Sequence, residues 1–249
     1  MFNLKSQEDI QKMRTGGKIA AKVMQELIAK ADAETTTLAL DKLAEELIKK
    51  FGGEPSFKKV LGYHHTLCTT VNDQVVHGLP GNYTLKNGDL LGIDLGVYYQ
   101  GFHTDTSTSF IIGSYDGQEK RRFLEAGQRA LKKAIEKARV GNHVGDISYA
   151  IQKEVERAGY SVVRELVGHG VGRELHEDLR IPGRGRPGTG PKILEGMTLA
   201  IEVIYNKGSH QVMVLPDGWT IVTSDGEISG LFEHTVAVTS QGPVVLTSG

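Results

Sequence analysis

Apolar residues in the first fifth of the chain recur at helical spacing. Ser6-Gln7-Glu8-Asp9 has the form of a capping box, and Ile10, Met13, Ile19, Val23, Met24, Leu27 and Ile28 then follow a helical period despite Gly16-Gly17. A second stripe, Leu40, Leu43, Ala44, Leu47 and Ile48, predicts another helix that stops at Gly52-Gly53. Between about residues 67 and 113 the pattern changes to β-branched and alternating residues punctuated by Asn72-Asp73, Gly78, Pro80-Gly81 and Asn87-Gly88, which predicts antiparallel strands. Helical spacing returns with Phe123, Ala126, Ala130, Leu131, Ala134, Ile135 and Ala138. It returns again from Asp146 as N-cap through Ile147, Ala150, Ile151 and Val155 to Gly159. The remainder reads as strands at Val162-Val163, Thr198 to Tyr205, Gln211 to Leu215, Trp219 to Thr223 and Leu231 to Thr239, interrupted by a loop over 180–192. Helices, strands, helices, strands is the order of an α+β fold with two halves, each a sheet with helices on one side.

Composition narrows the function classes. The 249 residues carry 29 Lys+Arg against 30 Asp+Glu, so bulk charge recommends neither nucleic acid nor an anionic membrane as partner. At 39% hydrophobic and 24% charged residues the chain can bury a core. Cys68 is the one cysteine, which excludes an internal disulfide and suits a reducing compartment. The first residues lack the apolar run of a signal peptide, and no run reaches the roughly 18 to 20 residues of a membrane span, so the cytoplasm is the expected location. The loop over 180–192 holds Arg180, Arg184, Arg186 and Lys192 without an acid, yet its Pro/Gly content reads as a solvated connection. Gly168, Gly170 and Gly172 match neither a Rossmann fingerprint nor a Walker loop.

The chemistry lies where acids interrupt apolar strands. Asp94 and Asp105 occupy two strand-like runs around Tyr99-Gln100-Gly101. A two-residue turn at Tyr99-Gln100 puts them directly opposite each other, while a bulge at Gly101 shifts that register. Opposed carboxylates destabilise a sheet unless a proton or a cation lies between them. Glu202 and Glu233 also break apolar strands, where an isolated ionised carboxylate loses hydration. Four such acids plus an imidazole form the donor set of a pair of divalent ions. The imidazole candidates are His169 and His176, which serve one site only if the intervening glycines bend the chain. His64, His65, His103, His143, His210 and His234 read as structural.

Five fragments in order, I-D-L-G with D-T-S eleven residues on, G-H-G-x-G-x-x-x-H, G-M-T-L-A-I-E, D-G-W and E-H-T, resemble the type I methionine aminopeptidases of the pita-bread metallopeptidase superfamily. The resemblance runs from the first helix to Thr239. It implies a single pita-bread catalytic domain over 1–249, with pseudo-symmetric halves of approximately 1–115 and 116–249 and a central antiparallel sheet covered by helices. It also implies removal of initiator methionine before a small second residue, by attack of a metal-bridging hydroxide. By motif, Asp94 would chelate one metal, Asp105 and Glu233 would bridge two, and His169 and Glu202 would bind the other. His176 resembles the residue that contacts the carbonyl oxygen, His77 the one near the scissile nitrogen, and Glu202 the proton shuttle. Tyr63, Cys68, Leu175 and Trp219 fall where the family lines its methionine pocket, and Asn72, Gln74 and Ser229 match a monovalent-cation site.

The chain departs from the family pattern in three places. Leu61 to Cys68 is three residues shorter than usual and lacks an aromatic pocket residue, Leu175 replaces an aromatic, and Val203 replaces a proline. Methionine preference is therefore less firmly implied than peptidase activity. Two other readings stay open: an Xaa-Pro or broader aminopeptidase on the same fold, and a non-catalytic pita-bread binding protein. The former usually adds a large N-terminal domain, which is not expected here. The donor types admit Mn, Fe, Co or Zn. Expected partners are peptide or nascent-chain N-termini, with transient ribosome contact through Lys120, Arg121, Arg122, Arg129, Lys132, Lys133 and Lys137, no membrane, no specific nucleic acid, and action as a monomer.

Overall fold

In a computed structural model, which describes residues 2–249, Ser6 caps α1 (Gln7–Lys30). The Asp9 N–H donates to the Ser6 hydroxyl at 3.2 Å and the Ser6 N–H donates to the Asp9 carboxylate at 3.0 Å, the reciprocal box read from the sequence. Gly16-Gly17 sits inside this helix for a steric reason. A Cβ on Gly17 would stand 2.2 Å from the Leu246 carbonyl oxygen, so the helix reaches the C-terminal segment only without a side chain there. Helix α2 (Thr37–Lys50) starts at Thr36, whose hydroxyl accepts from the Ala39 N–H. Helices α3 (Glu119–Ile135) and α4 (Val144–Arg157) follow after the first strands. The N-cap of α4 is His143, not Asp146: Asp146 stands in the first turn and its carboxylate accepts from the His143 N–H at 2.7 Å. Gly159, at φ +85°, follows its end.

The strands are β1 (Glu54–Pro55), β2 (Leu67–Val71), β3 (Gln74–Val76), β4 (Leu90–Tyr99), β5 (Phe102–Ile111), β6 (Ser161–Val162), β7 (Val167–Gly170), β8 (Glu177–Pro182), β9 (Thr198–Asn206), β10 (Val212–Val214), β11 (Ile221–Thr223), β12 (Ser229–Thr239) and β13 (Gly242–Val245). The main sheet runs β1-β4-β5-β12-β9-β7-β8, with β2 on β4, β6 on β9 and β13 on β12, and all pairings are antiparallel. A smaller sheet, β10-β11-β3, packs on it through Val75, Val76 and Ile221 against Ile204 and Leu231. The predicted loop over 180–192 is corrected at its start. Arg180, Ile181 and Pro182 end β8, where Leu179 and Ile181 alternate into the core and Pro182 closes the strand.

Alternation along the central strands divides their two faces. Ile93, Leu95 and Val97 of β4 pack with Val23 and Leu27 of α1 and Leu40, Ala44 and Ile48 of α2. Leu199, Ile201 and Val203 of β9 and Phe232, Val236 and Val238 of β12 pack with Phe123 and Leu131 of α3 and Ile147, Ile151 and Val155 of α4. The helices therefore cover one face of the large sheet, and the residues between these apolar positions point to the other. Among the described residues no helix is long and apolar enough to cross a membrane.

Candidate active site

The turn between β4 and β5 consists of Gln100 and Gly101, with φ of +47° and +90°, so that Tyr99 pairs with Phe102. Left-handed conformation at both central positions suits a tight hairpin and explains the glycine. This register corrects the expected opposition of the two aspartates: Asp94 faces Ser107 and Asp105 faces Gly96. The slip is two residues, which preserves the face, so Asp94 and Asp105 remain diagonal neighbours on the side away from the helices.

Neighbouring strands extend this arrangement into two rows. Cys68 pairs with Asp94, Asp94 with Ser107, Ser107 with Glu233 and Glu233 with Glu202, a continuous row across five strands. In the adjacent row on the same face Gly96 pairs with Asp105, Thr235 with Ala200 and Ala200 with His169. The hydroxyl of Thr235 joins Asp105 to this row, accepting from its N–H and donating to its carbonyl, each at 2.8 Å. Asp94, Asp105, His169, Glu202 and Glu233 thus meet on one patch of sheet.

Burial makes this cluster costly as bare charges. Desolvation, then neighbouring acids, push the carboxyls of Asp94, Glu202 and Glu233 well above the usual range, and burial pushes Asp105 up to about 7. Asp94 Oδ1 and Glu233 Oε1 are buried without a hydrogen-bond partner. Burial lowers His169 to about 4, so its ring is neutral at pH 7. Its Nδ1 lies 2.9 Å from the Gly170 carbonyl, to which it donates, leaving the Nε2 lone pair facing Glu202 Oε1 at 3.5 Å and Asp105 Oδ2 at 4.0 Å. A lone pair aimed at carboxylate oxygens, beside orphaned buried acceptors, is an arrangement that a cation relieves. Asp105, His169 and Glu233 each offer one donor atom, and all three lie within 4.8 Å of one another.

An adjoining cavity of about 80 Å³ opens over the acids. Its apolar wall holds Tyr63, Cys68, Leu175 and Trp219 together with Phe57 and Val60. The Tyr63 ring stands edge-on to Trp219 at 5.0 Å and to Phe57 at 6.3 Å. Its hydroxyl donates to the Leu67 carbonyl at 2.6 Å, 3.1 Å from the Cys68 sulfur. Burial and Asp94 push the Cys68 thiol up, which keeps it neutral. Trp219 owes its position to Asp217, whose carboxylate accepts from the Trp219 and Thr220 N–H groups at 2.8 Å. Phe57 is absent from the sequence-based pocket because it rides on a single 3-10 turn, Phe57–Lys59, that carries no periodic signal.

His77, at φ +56° after β3, and His176 stand at the cavity with rings exposed on their outer side. Desolvation in the cleft lowers both, and His176 lowers His77 further. The glycines bend the chain after β7 so that the His169 and His176 rings meet edge-on at 4.5 Å. Of the cation-site candidates, Asn72 and Ser229 meet through the Ser229 N–H and the Asn72 carbonyl at 2.8 Å. The side-chain oxygens of Asn72 and Gln74 accept from the Leu90 and Val71 N–H groups. Three further histidines bond elsewhere: Nδ1 of His103, which shares a neighbouring cavity with His176, meets the Ser56 hydroxyl, Nδ1 of His234 meets the Thr247 hydroxyl, and His65 faces Asp41 at 3.5 Å.

Comparisons with known proteins give the family and the fold. The model of metallopeptidase family M24 matches residues 11–240. A methionine aminopeptidase of Clostridium perfringens is 47% identical over 99% of this chain and 99% of its own length. The crystal structure of a methionine aminopeptidase from Thermotoga maritima superposes with a TM-score of 0.97 at 40% identity, covering 100% of both chains. The prolidase of Pyrococcus furiosus, at 23% identity and a TM-score of 0.79 over 99% of this chain and 65% of its own, shares the fold. With a helix-covered antiparallel sheet of the pita-bread type and acids gathered on its open face, the chain belongs to metallopeptidase family M24, among the methionine aminopeptidases.

Proposed function

We propose that the protein is a metal-dependent aminopeptidase that removes N-terminal methionine from peptides and nascent chains with a small second residue. One observation carries the reading: the two-row cluster of Asp94, Asp105, His169, Glu202 and Glu233 opens directly into an apolar cavity walled by Phe57, Tyr63, Cys68, Leu175 and Trp219. Two divalent ions, of Mn, Fe, Co or Zn, would be held by Asp94, Asp105 and Glu233 on one side and by Asp105, Glu233, His169 and Glu202 on the other. Bound there, such ions supply Lewis acidity and lower the pKa of water. The chain's own groups do the rest. The neutral, polarizable cavity takes the thioether side chain and excludes water from it. His176, a neutral imidazole, donates to the carbonyl oxygen of the first residue as it gains charge. His77 orients the scissile nitrogen, and the Glu202 carboxylate takes a proton from the attacking water on one oxygen and passes it to the departing amine.

The whole chain, 1–249, acts in this reading as one catalytic unit, a monomer in the cytoplasm, where a reducing milieu suits the unpaired Cys68. The exposed basic residues of α3 suit transient contact with the ribosome, and Asn72, Gln74 and Ser229 hold a monovalent cation. The test is release of the first residue from Met-Ala-Ser and matched Leu- and Xaa-Pro-containing peptides, by protein stripped of metal and resupplied anaerobically with Mn, Co or Fe. Metal-restored cleavage confined to Met is expected. Cleavage of several first residues would overturn the specificity, preference for Xaa-Pro would favour the prolidase branch, and no cleavage with any metal would overturn the enzymatic reading.

A further inference from the structure

His176 and Leu175 sit at the end of an irregular loop, Val171–His176, between β7 and β8, and such a loop holds no fixed place unless something outside it does so. The sheet holds its first two residues, the Val171 N–H donating to the Thr198 carbonyl at 3.1 Å and the His103 N–H to the Gly172 carbonyl at 2.6 Å; the rest of the loop is held by the N-terminal region of the chain. The Lys5 side chain, 1% exposed, makes an ion pair with Glu177 Oε2, and its ammonium also donates to the Asn3 carbonyl at 2.7 Å. Glu177 Oε1 accepts from the Arg173 N–H at 3.0 Å and from the Asn3 side chain at 3.2 Å. One carboxylate therefore joins the loop's backbone to the N-terminal segment. Lys5 itself is anchored to the sheet region by its N–H, which donates to the Gly196 carbonyl at 2.7 Å. A Cβ on Gly172 would stand 2.2 Å from Lys5 Cε and 2.7 Å from Glu177 Oε1, so the loop backbone packs directly on the ion pair. Asp9 of α1 reaches Arg173 at 3.6 Å, a second tie between the same two segments.

A buried lysine loses its hydration and is a poor investment in stability alone, since a well-packed apolar pair often does as well. A buried pair does hold one geometry. We propose that Lys5 and Glu177 are positioning residues for catalysis: their ion pair fixes the outer part of the loop, Arg173–His176, so that the His176 imidazole stands over the cavity beside His169. This rests on the peptidase reading, because the role assigned to His176 does. Neither Lys5 nor Glu177 lines that cavity.

The experiment compares Lys5→Met and Glu177→Gln with the wild type in three measurements on metal-loaded full-length protein. The first is kcat and KM on Met-Ala-Ser. A fall in kcat of about tenfold with KM within about twofold is expected, because a displaced catalytic group costs turnover more than binding. The second repeats both substitutions in a His176→Ala background, where they should lower kcat no further. The third is the rate of trypsin cleavage after the exposed Arg173, which should rise severalfold once the tie is cut, whatever the activity. Glu177→Gln keeps an acceptor for the Arg173 N–H, so it answers the question if Lys5→Met does not fold. Unchanged kcat in folded variants, additive losses in the His176→Ala background, or an unchanged trypsin rate would each overturn the proposal. An inactive wild type would overturn the peptidase reading instead, with the trypsin rates still deciding whether the ion pair holds the loop.

Discussion

Asp105 is the residue on which most of the candidate site turns. It is buried, its backbone is held by the Thr235 hydroxyl, and its carboxylate faces the lone pair of His169. Asp105→Asn keeps the shape and removes the charge, so turnover is expected to fall to background and bound metal to drop, both read on one preparation by peptide release and elemental analysis. Proton linkage gives a second prediction. The Asp105 carboxyl is pushed up to about 7, and Asp94, Glu202 and Glu233 are also raised, so in metal-free protein the folded state holds protons that the unfolded chain releases. That stability is fully present below the ordinary carboxylate value and is lost as pH rises through the folded one. Melting of metal-free protein should therefore rise as pH falls from about 8 to about 6.5. Below that the lowered His169, about 4, begins to oppose it, since a histidine buried neutral loses stability as pH falls. With Mn or Co present the slope over the same range should reverse, because protons then compete with the ion. Calorimetry with and without chelator reads both slopes. Asp94, Glu202 and Glu233 were legible in sequence because each interrupts an apolar strand, and Asp105 because it lies across the hairpin from Asp94, whereas Phe57 and Lys5 sit in segments without any period and gain their roles only from what lies against them.

At the scale of elements, the shortened segment 61–68 is held by one residue of α2. The buried carboxylate of Asp41 accepts from the Thr66 N–H at 2.7 Å and the Leu67 N–H at 2.9 Å and faces His65. Tyr63 and Cys68 flank that point, so helix and pocket wall are coupled through Asp41. Asp41→Ala leaves two buried N–H groups unpaired and should cost about 2 to 3 kcal/mol, read as a lower urea midpoint. KM for Met-Ala-Ser should rise severalfold with metal content unchanged. All four helices follow from their periodicity, caps and glycines, with α4 starting three residues earlier than the Asp146 cap predicts because an aspartate in the first turn also reaches back to the N-cap N–H. Strands β1, β7, β8 and β13 did not follow. β1, β7 and β13 are short and contain Gly or Pro, and a longer neighbour pairs with each, while β8 alternates only at Leu179 and Ile181 and pairs with β7.

Over the whole molecule, the contact of α1 with the C-terminal segment brings the two ends of the chain together under one sheet. Gly17 sets that distance, because any Cβ there meets the Leu246 carbonyl. Gly17→Ala raises helix propensity by about 1 kcal/mol yet should lower net stability by about 1 to 3 kcal/mol, a fall in Tm of about 3 to 10 °C. A rise in Tm would show that the helix can shift without cost.

Local sequence by itself determined the α+β class, the helices, the central strands and the residue types of a metal-binding patch, because period, capping and charge in apolar runs are short-range properties. Ordered motifs carried the family as well. Tertiary structure alone decided which residue faces which. The Gln100-Gly101 turn set Asp94 against Ser107, the pairing of β5, β12, β9 and β7 drew the acids and His169 into rows, and the loop after His169 returned His176 to its side. Strand register and ion pairs across a hundred residues or more depend on turn geometry and packing far along the chain, and no local pattern encodes them.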